Sequence, residues 1–323
     1  MIRAVSARAY ANIALVKYWG KRDNVLNAPA TPSLSLALEA LRTDTRVERI
    51  ATGPDQVELD GYPADEKTTS RIREYLNLWR DLDLIQGAFS IRSSNNFPTA
   101  AGLASSASGY AALATALGAL AERKVSRREL SRLARRGSGS AARSIPGGLA
   151  ALPAGPDPTA RKVLSADSIP WGMVVAVVEA PAKEIGSTEG MVRSRLTSPY
   201  FNAWVRTARH DYRRMRYALQ DLDLEQVGAI TESNALAMHA CMIATRPSLV
   251  YWSEATVELL RLVREWRDKG IQAYVTIDAG PHVVFLCPRE QLEKVESLAA
   301  GVEGVVNAYA SLPAPGARIV EWS

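Results

Sequence analysis

Two stretches of this 323-residue chain collect the residue types that hold anionic groups. Asn96 to Ser108 reads Asn-Phe-Pro-Thr-Ala-Ala-Gly-Leu-Ala-Ser-Ser-Ala-Ser and leads into the alanine-rich run Tyr110 to Leu120, which has the pattern of a buried helix. Small residues let an oxygen approach the main chain closely, and the first N–H groups of a helix lack intrahelical acceptors. Such a loop cradles a phosphate, or it is simply a helix start capped by serines; on its own residues the two readings weigh the same. A second small-residue turn runs from Gly137 to Ser144, and its Ser138, Gly139 and Ser140 offer another nest of N–H and hydroxyl donors. Asp278 lies in an Asp-Ala-Gly-Pro turn between two predicted strands. There a carboxylate either points into a cleft and handles a proton or caps the turn, again with equal weight. Lys17 taken alone is an ordinary surface lysine.

Composition removes several other chemistries. Cys241 and Cys287 are the only cysteines, and His210, His239 and His282 lack metal-ligand spacing, so neither a disulfide framework nor a zinc cluster is available. Hydrophobic residues make up 47% and charged residues 23%, ordinary for a globular protein. The formal net charge of +5 suits anionic partners. Aromatics are not interleaved with basic residues and no nucleic-acid-binding signature is present, so a basic cleft for small phosphorylated molecules is the simpler account. Arg127-Arg128, Arg135-Arg136 and Arg213-Arg214 read as solvated helix faces. With no apolar leader and no run long enough to span a bilayer, the expectation is a soluble cytoplasmic protein without membrane or nucleic-acid partners.

The elements that position these residues fall into two groups. Strand patterns cover Arg3 to Ala14, Ser33 to Leu38, Thr45 to Ile50 and Gln56 to Leu59, the last three as antiparallel strands; Lys67 to Trp79 has helical spacing and Phe89 to Arg92 is a short strand. A further helix starts over Arg128 to Leu133. Trp171 to Glu179 is continuously apolar, as in a buried central strand. Helices then dominate, over Thr188 to Ala218, Leu224 to Ala240 and Ser253 to Arg267, before a tail of two strands, Ala273 to Ile277 and Val283 to Cys287, and a helix from Arg289 to Leu298. The length and this change of pattern predict two domains, 1–180 and 181–323, in an α+β arrangement.

Taken together and in order, these motifs resemble one family. They are Ala11-Asn12-Ile13-Ala14-Leu15-Val16-Lys17-Tyr18-Trp19-Gly20-Lys21-Arg22-Asp23, the serine loop, Gly137 to Ser144, Ser187-Thr188-Glu189-Gly190-Met191, Glu232-Ser233-Asn234 with Met238-His239, and Thr276-Ile277-Asp278-Ala279-Gly280-Pro281. The sequence is similar to mevalonate diphosphate decarboxylases of the GHMP kinase superfamily, from about Ser6 to about Leu286. The resemblance implies a two-lobed GHMP kinase fold, with an N-terminal ATP-binding domain, a helix-rich C-terminal domain and the site in the cleft between. It implies that ATP phosphorylates the 3-hydroxyl of a 5-phosphorylated mevalonate, after which phosphate and carbon dioxide leave together.

The same resemblance assigns roles by position. Asp278 would face the hydroxyl, Lys17 would stand beside it, and Arg143 would clamp the substrate carboxylate. Asn12, Tyr18, Lys21, Ser138, Gly139, Ser140 and Ser187 would bind substrate. Lys67, Asn95, Pro98, Gly102, Ala104, Ser105, Ser106 and Ser108 would bind ATP, with Ser106 near Mg2+. A homodimer is the family expectation. Departures also occur: Pro29-Ala30-Thr31-Pro32-Ser33 lacks the usual asparagine, and Gly186, Thr188 and His282 stand where relatives have serine, arginine and asparagine. These leave mevalonate 5-phosphate open as an alternative to the 5-diphosphate. A 3-kinase without decarboxylation is the remaining alternative, and the presence of Arg143 counts against it.

Overall fold

The computed structural model describes residues 3–97, 105–180 and 184–322. Six strands come first: β1 (Ala4–Val16), β2 (Lys21–Asp23), β3 (Ala28–Pro29), β4 (Ser33–Ile50), β5 (Gln56–Leu59) and β6 (Tyr62–Pro63). Then come α1 (Glu66–Asp81), β7 (Ala88–Asn95), α2 (Ser105–Leu120), α3 (Arg127–Gly137) and α4 (Ala141–Ser144). Strands β8 (Leu149–Leu152), β9 (Arg161–Leu164) and β10 (Trp171–Val178) precede helices α5 (Ser187–Thr197), α6 (Phe201–Ala218), α7 (Leu224–Ile243) and α8 (Glu254–Asp268). The chain closes with β11 (Tyr274–Ile277), β12 (Val283–Pro288), α9 (Leu292–Ala300), β13 (Val305–Ser311) and β14 (Arg318–Trp322). Helix starts follow local chemistry. Asp65 and Asp223 accept the N–H groups of Thr68 and Gln226, and Ser126 with Glu129 forms a capping box on α3.

Two main sheets result. The first runs β14-β1-β4-β7-β5-β6 with β8 and β9 continuing from β4, and the second runs β11-β12-β10-β13. One face of the first sheet packs on α1, α2 and α3 through Val5, Val47, Trp79, Phe89 and Leu117. Its other part meets the second sheet in a shared core of Ile13, Leu15, Leu34, Leu36, Met173, Val175, Met215 and Leu286. Val174, Ala176 and Val178 point the other way, against Leu259, Val263 and Val295 of α8 and α9. Strand β10 is thus buried on both faces, which accounts for its unbroken apolar run. Each such aliphatic side chain contributes roughly 1.5–3 kcal/mol relative to exposure.

Strand β10 pairs with β12 and β13 of the second sheet, and β14 returns to pair with β1 of the first. Several expectations are corrected. The predicted strands Ser33 to Leu38 and Thr45 to Ile50 are one strand, β4. Its first part pairs with β8 and its second with β7, and the register on β1 shifts between Tyr10 and Asn12 to take up the extra residues. Strand β5 pairs antiparallel with β6, as expected, but parallel with β7. The long helix expected from Thr188 to Ala218 is interrupted at 198–200, where Pro199 cannot continue the ladder, giving α5 and α6. Strands β8, β9, β13 and β14 carry no predicted counterpart.

Candidate active site

A cleft of about 330 Å³ opens where the two sheets meet, lined from the loop after β1, the starts of α2 and α5, the turn before α4 and the turn after β11. Its deepest contact joins residues from opposite parts of the chain. The Lys17 Nζ lies 2.5 Å from Asp278 Oδ1; the lysine side chain is 1% exposed and the aspartate 35%. Burial depresses the Lys17 pKa below that of an ordinary lysine, a tendency that Asp278 opposes and Arg143 reinforces. Residues from α7 hold both main chains in place: Lys17 N–H donates to Asn234 Oδ1 at 2.8 Å, and His239 Nε2 lies 3.1 Å from the Asp278 carbonyl oxygen.

Arg143, on α4, is buried and reaches the same cleft. Its Nε donates to Ser35 Oγ at 2.8 Å and its Nη1 to Ser33 Oγ at 2.6 Å, so two hydroxyls of β4 fix the plane of the guanidinium. Burial pushes its pKa down to about 10, against the pull of Asp278. Asn12 lies beside it, donating to Ser144 Oγ at 2.8 Å and Ser140 O at 3.1 Å. The Asn12 Oδ1 is buried without a hydrogen-bond partner among the described residues, an acceptor with capacity for a ligand hydroxyl or a water.

At the other end of the cleft Ser106, Ser138 and Ser140 form a line of hydroxyls, with Oγ–Oγ separations of 3.3 Å at both steps. Tyr18 donates to the Asn27 carbonyl at 3.0 Å, and its ring lies so close to Gly139 that a Cβ there would stand 2.4 Å from the phenolic oxygen. Lys21 Nζ donates to Thr188 Oγ1 at 3.2 Å, and burial together with neighbouring Arg71 lowers its pKa. Lys17, Lys21, Arg71 and Arg143 line the cleft against the single carboxylate of Asp278 among the described lining residues. The start of α2 adds its helix dipole at Ser105 and Ser106. An electropositive cleft with one proton-accepting group suits a polyanionic substrate that must lose a proton.

The structure therefore gathers Asn12, Lys17, Tyr18, Lys21, Ser105, Ser106, Ser138, Gly139, Ser140, Arg143, Ser187 and Asp278 around one space. Three other expected residues lie outside its lining. Lys67 is exposed in the first turn of α1. Asn95 accepts the Thr43 hydroxyl at 2.5 Å at the end of β7. Ser108 is buried within α2 and hydrogen-bonded to Thr43 and Ser105. Pro98, Gly102 and Ala104 lie outside the described residues. Arg71, Ser33 and Ser35 carry no sequence assignment. Arg71 falls one turn after Lys67 on the same helix, so the helical spacing could have suggested it. His282 also has a structural contact, its Nδ1 accepting the Val178 N–H at 3.1 Å.

Two family models match the chain: a diphosphomevalonate decarboxylase-like N-terminal domain over residues 9–164, and a mevalonate 5-diphosphate decarboxylase C-terminal domain over residues 173–308. The diphosphomevalonate decarboxylase of Aspergillus fumigatus is 38% identical over 321 residues, covering 91% of this chain and 78% of the relative. Among solved structures, mevalonate diphosphate decarboxylase from Staphylococcus aureus superposes with a TM-score of 0.93 at 36% identity, covering 99% of each chain. A structure of MDDEF in complex with MVAPP, AMPPCP and magnesium superposes with a TM-score of 0.92 at 36% identity, covering 99% of this chain and 100% of that one.

Proposed function

This chain belongs to the diphosphomevalonate decarboxylase family, and from that premise we propose that its cleft carries out ATP-dependent decarboxylation of mevalonate 5-diphosphate, with Asp278, Lys17 and Arg143 at the reacting centre. The product is isopentenyl diphosphate, and the fold is of the GHMP kinase type. The contact between Lys17 and Asp278, with buried Arg143 beside it, is the observation that carries the assignment of roles.

Asp278 takes the proton of the 3-hydroxyl as its oxygen bonds to the γ-phosphorus of ATP and the bond to the bridging oxygen breaks, releasing ADP. Lys17 orients the carboxylate, and its charge balances the transferring phosphoryl group. The carbon–oxygen bond at C3 then breaks and phosphate leaves. The C1–C2 bond breaks in turn, releasing carbon dioxide, and its electron pair forms the C2–C3 double bond. Arg143 holds the substrate carboxylate in line through its planar fork. Tyr18, Lys21 and the Ser138 to Ser140 turn bind the 5-diphosphate, and Ser105 and Ser106 bind the ATP phosphates.

Magnesium fits this donor set. Among the described residues no group of three histidine, cysteine or acidic side chains could hold a metal ion, but Mg2+ is commonly bound through substrate phosphates plus few protein oxygens. The Ser106 hydroxyl would supply one such oxygen, and the bound ion would neutralise phosphate charge.

The test supplies purified protein with ATP, Mg2+ and either mevalonate 5-diphosphate or mevalonate 5-phosphate, and follows carbon dioxide and ADP. Release of both products with the diphosphate is expected. ADP without gas would turn the reading to a kinase, and no product would reject it. Among the described residues no helix is long and apolar enough to cross a membrane. The two free, buried cysteines support placement in the reducing cytoplasm. The family expectation of a homodimer is read from the mass in solution.

A further inference from the structure

Helix α7 touches both halves of the reacting pair without lining the space between them through either of the residues concerned. Asn234 is fully buried; its Oδ1 accepts the Lys17 N–H at 2.8 Å while its Nδ2 donates to Asp211 Oδ2 on α6 at 2.9 Å. The amide is therefore fixed in orientation by a buried carboxylate on the neighbouring helix. Five residues further on, His239 is 1% exposed and places Nε2 3.1 Å from the Asp278 carbonyl oxygen. A carbonyl can only accept, so the proton of this imidazole sits on Nε2. The ring packs on Trp252 with centroids 5.0 Å apart. At 3.6 residues per turn the two side chains leave the helix about 140° apart, one toward the loop after β1 and the other toward the turn after β11.

We propose that α7 is a positioning clip for the reacting pair, in which Asn234 fixes the main chain of Lys17, His239 fixes the main chain of Asp278, and the rigid helix between them sets the ammonium–carboxylate spacing. The proposal rests on the reading of Lys17 and Asp278 as reacting-centre residues. The Asp278 carbonyl also accepts the Gly280 N–H at 2.7 Å, a bond internal to its turn, so His239 is the contact that ties this turn to α7. Lys17 arrives on a loop from the other sheet. Each hydrogen bond is made to a peptide group, so it fixes the position of the residue and leaves its side chain available for chemistry. Displacement by about 1 Å can slow a positioned reaction by about 100-fold, which makes such anchoring consequential.

Two substitutions separate the clip from simple packing. His239→Phe keeps a ring against Trp252 and removes the donor; His239→Gln keeps a donor and removes the ring. The clip requires His239→Phe to lower kcat for carbon dioxide release by tenfold to about 100-fold, with KM for ATP and for mevalonate 5-diphosphate within about threefold of wild type. It requires His239→Gln to keep at least about a third of kcat. A smaller loss in His239→Phe, or a larger one in His239→Gln, overturns it. In an Asp278→Asn background the loss caused by His239→Phe should vanish, because His239 acts through Asp278; an undiminished loss there also overturns the clip. Should His239→Phe fail to fold, the His239→Gln result alone decides by the same limit. If the wild type itself releases no carbon dioxide, the functional reading fails instead, and the clip is read from an NMR titration of Lys17. Its pKa should fall in His239→Phe as the stabilising carboxylate drifts away, and an unchanged titration overturns the clip.

Discussion

Lys17 and Asp278 are separated by 261 positions in the chain, yet their side chains meet at 2.5 Å, with the ammonium shielded from solvent and the carboxylate reaching into the cleft. The asymmetry divides the labour. A fully buried ammonium needs an opposite charge close by, and the partly exposed carboxylate supplies it while keeping a face toward the cleft. The pair also closes the junction between the sheets, where Thr276 of β11 donates to the Ala14 carbonyl of β1 at 3.0 Å.

Asp278→Asn keeps the shape of the residue and removes its basicity. General-base contributions amount to about 10²–10⁴-fold, so kcat should fall by about 10³-fold, while a nonhydrolysable ATP analogue still binds within about threefold of wild type. Product release under single-turnover conditions and calorimetric titration measure the two quantities. Turnover within tenfold of wild type would remove Asp278 from the role.

Arg143→Lys keeps a charge but cannot reproduce bonds from separate guanidinium nitrogens to Ser33 and Ser35. Hydrogen bonds to charged groups contribute about 1.5–3 kcal/mol each, and the two serines also lose their donor. The expected result is a loss of kcat/KM of about 100-fold toward the diphosphate. Steady-state kinetics with ATP saturating would check it; unchanged kinetics would place the carboxylate clamp elsewhere.

Much of this site was legible because its reactive residues occur in compact motifs: Lys17, Tyr18 and Lys21 in one run, Ser138 to Arg143 in another, Asp278 in a turn. What the motifs could not carry is the support behind them. Ser33 and Ser35 alternate with leucines and so read as the outward face of a half-buried strand. In the fold both faces of that strand are buried, and the hydroxyls hold Arg143. The same limit applies to the elements. An unbroken apolar run revealed β10, but β14 is mostly exposed and depends on pairing with β1, far away in sequence. Strand β4 looked like two strands because its pairing changes partner midway.

Gly139→Ala tests the fit of Tyr18 into the phosphate-binding turn. The added Cβ would lie 2.4 Å from the phenolic oxygen and 2.5 Å from Cζ, and Tyr18 is itself held by the Asn27 carbonyl. Overpacking of this kind typically costs about 1–3 kcal/mol. Because Tyr18 and Gly139 both line the cleft, the displacement should appear as KM for the diphosphate raised by about tenfold, with KM for ATP little changed. Initial-rate measurements with each substrate varied in turn distinguish this from a general loss of fold, which would lower active-enzyme concentration and leave both KM values alone.

Stability should carry a signature of His239 in acid. Desolvation, with the Lys17 charge second, pushes the imidazole down to about 4 from its ordinary 6.5. The unfolded chain therefore binds a proton between these values that the native site resists, so the folded state loses stability as pH falls from 6.5 toward 4 and keeps its full stability above 6.5. A shift of this size corresponds to about 3 kcal/mol between pH 7.5 and pH 4. Other groups titrate over the same range, which makes the difference from His239→Gln the useful quantity: urea unfolding should show wild type losing about 3 kcal/mol more than this variant over that interval. Equal losses in the two proteins would mean that the buried imidazole is protonated as readily in the fold as outside it, and that its donor geometry toward Asp278 is not maintained by a neutral ring.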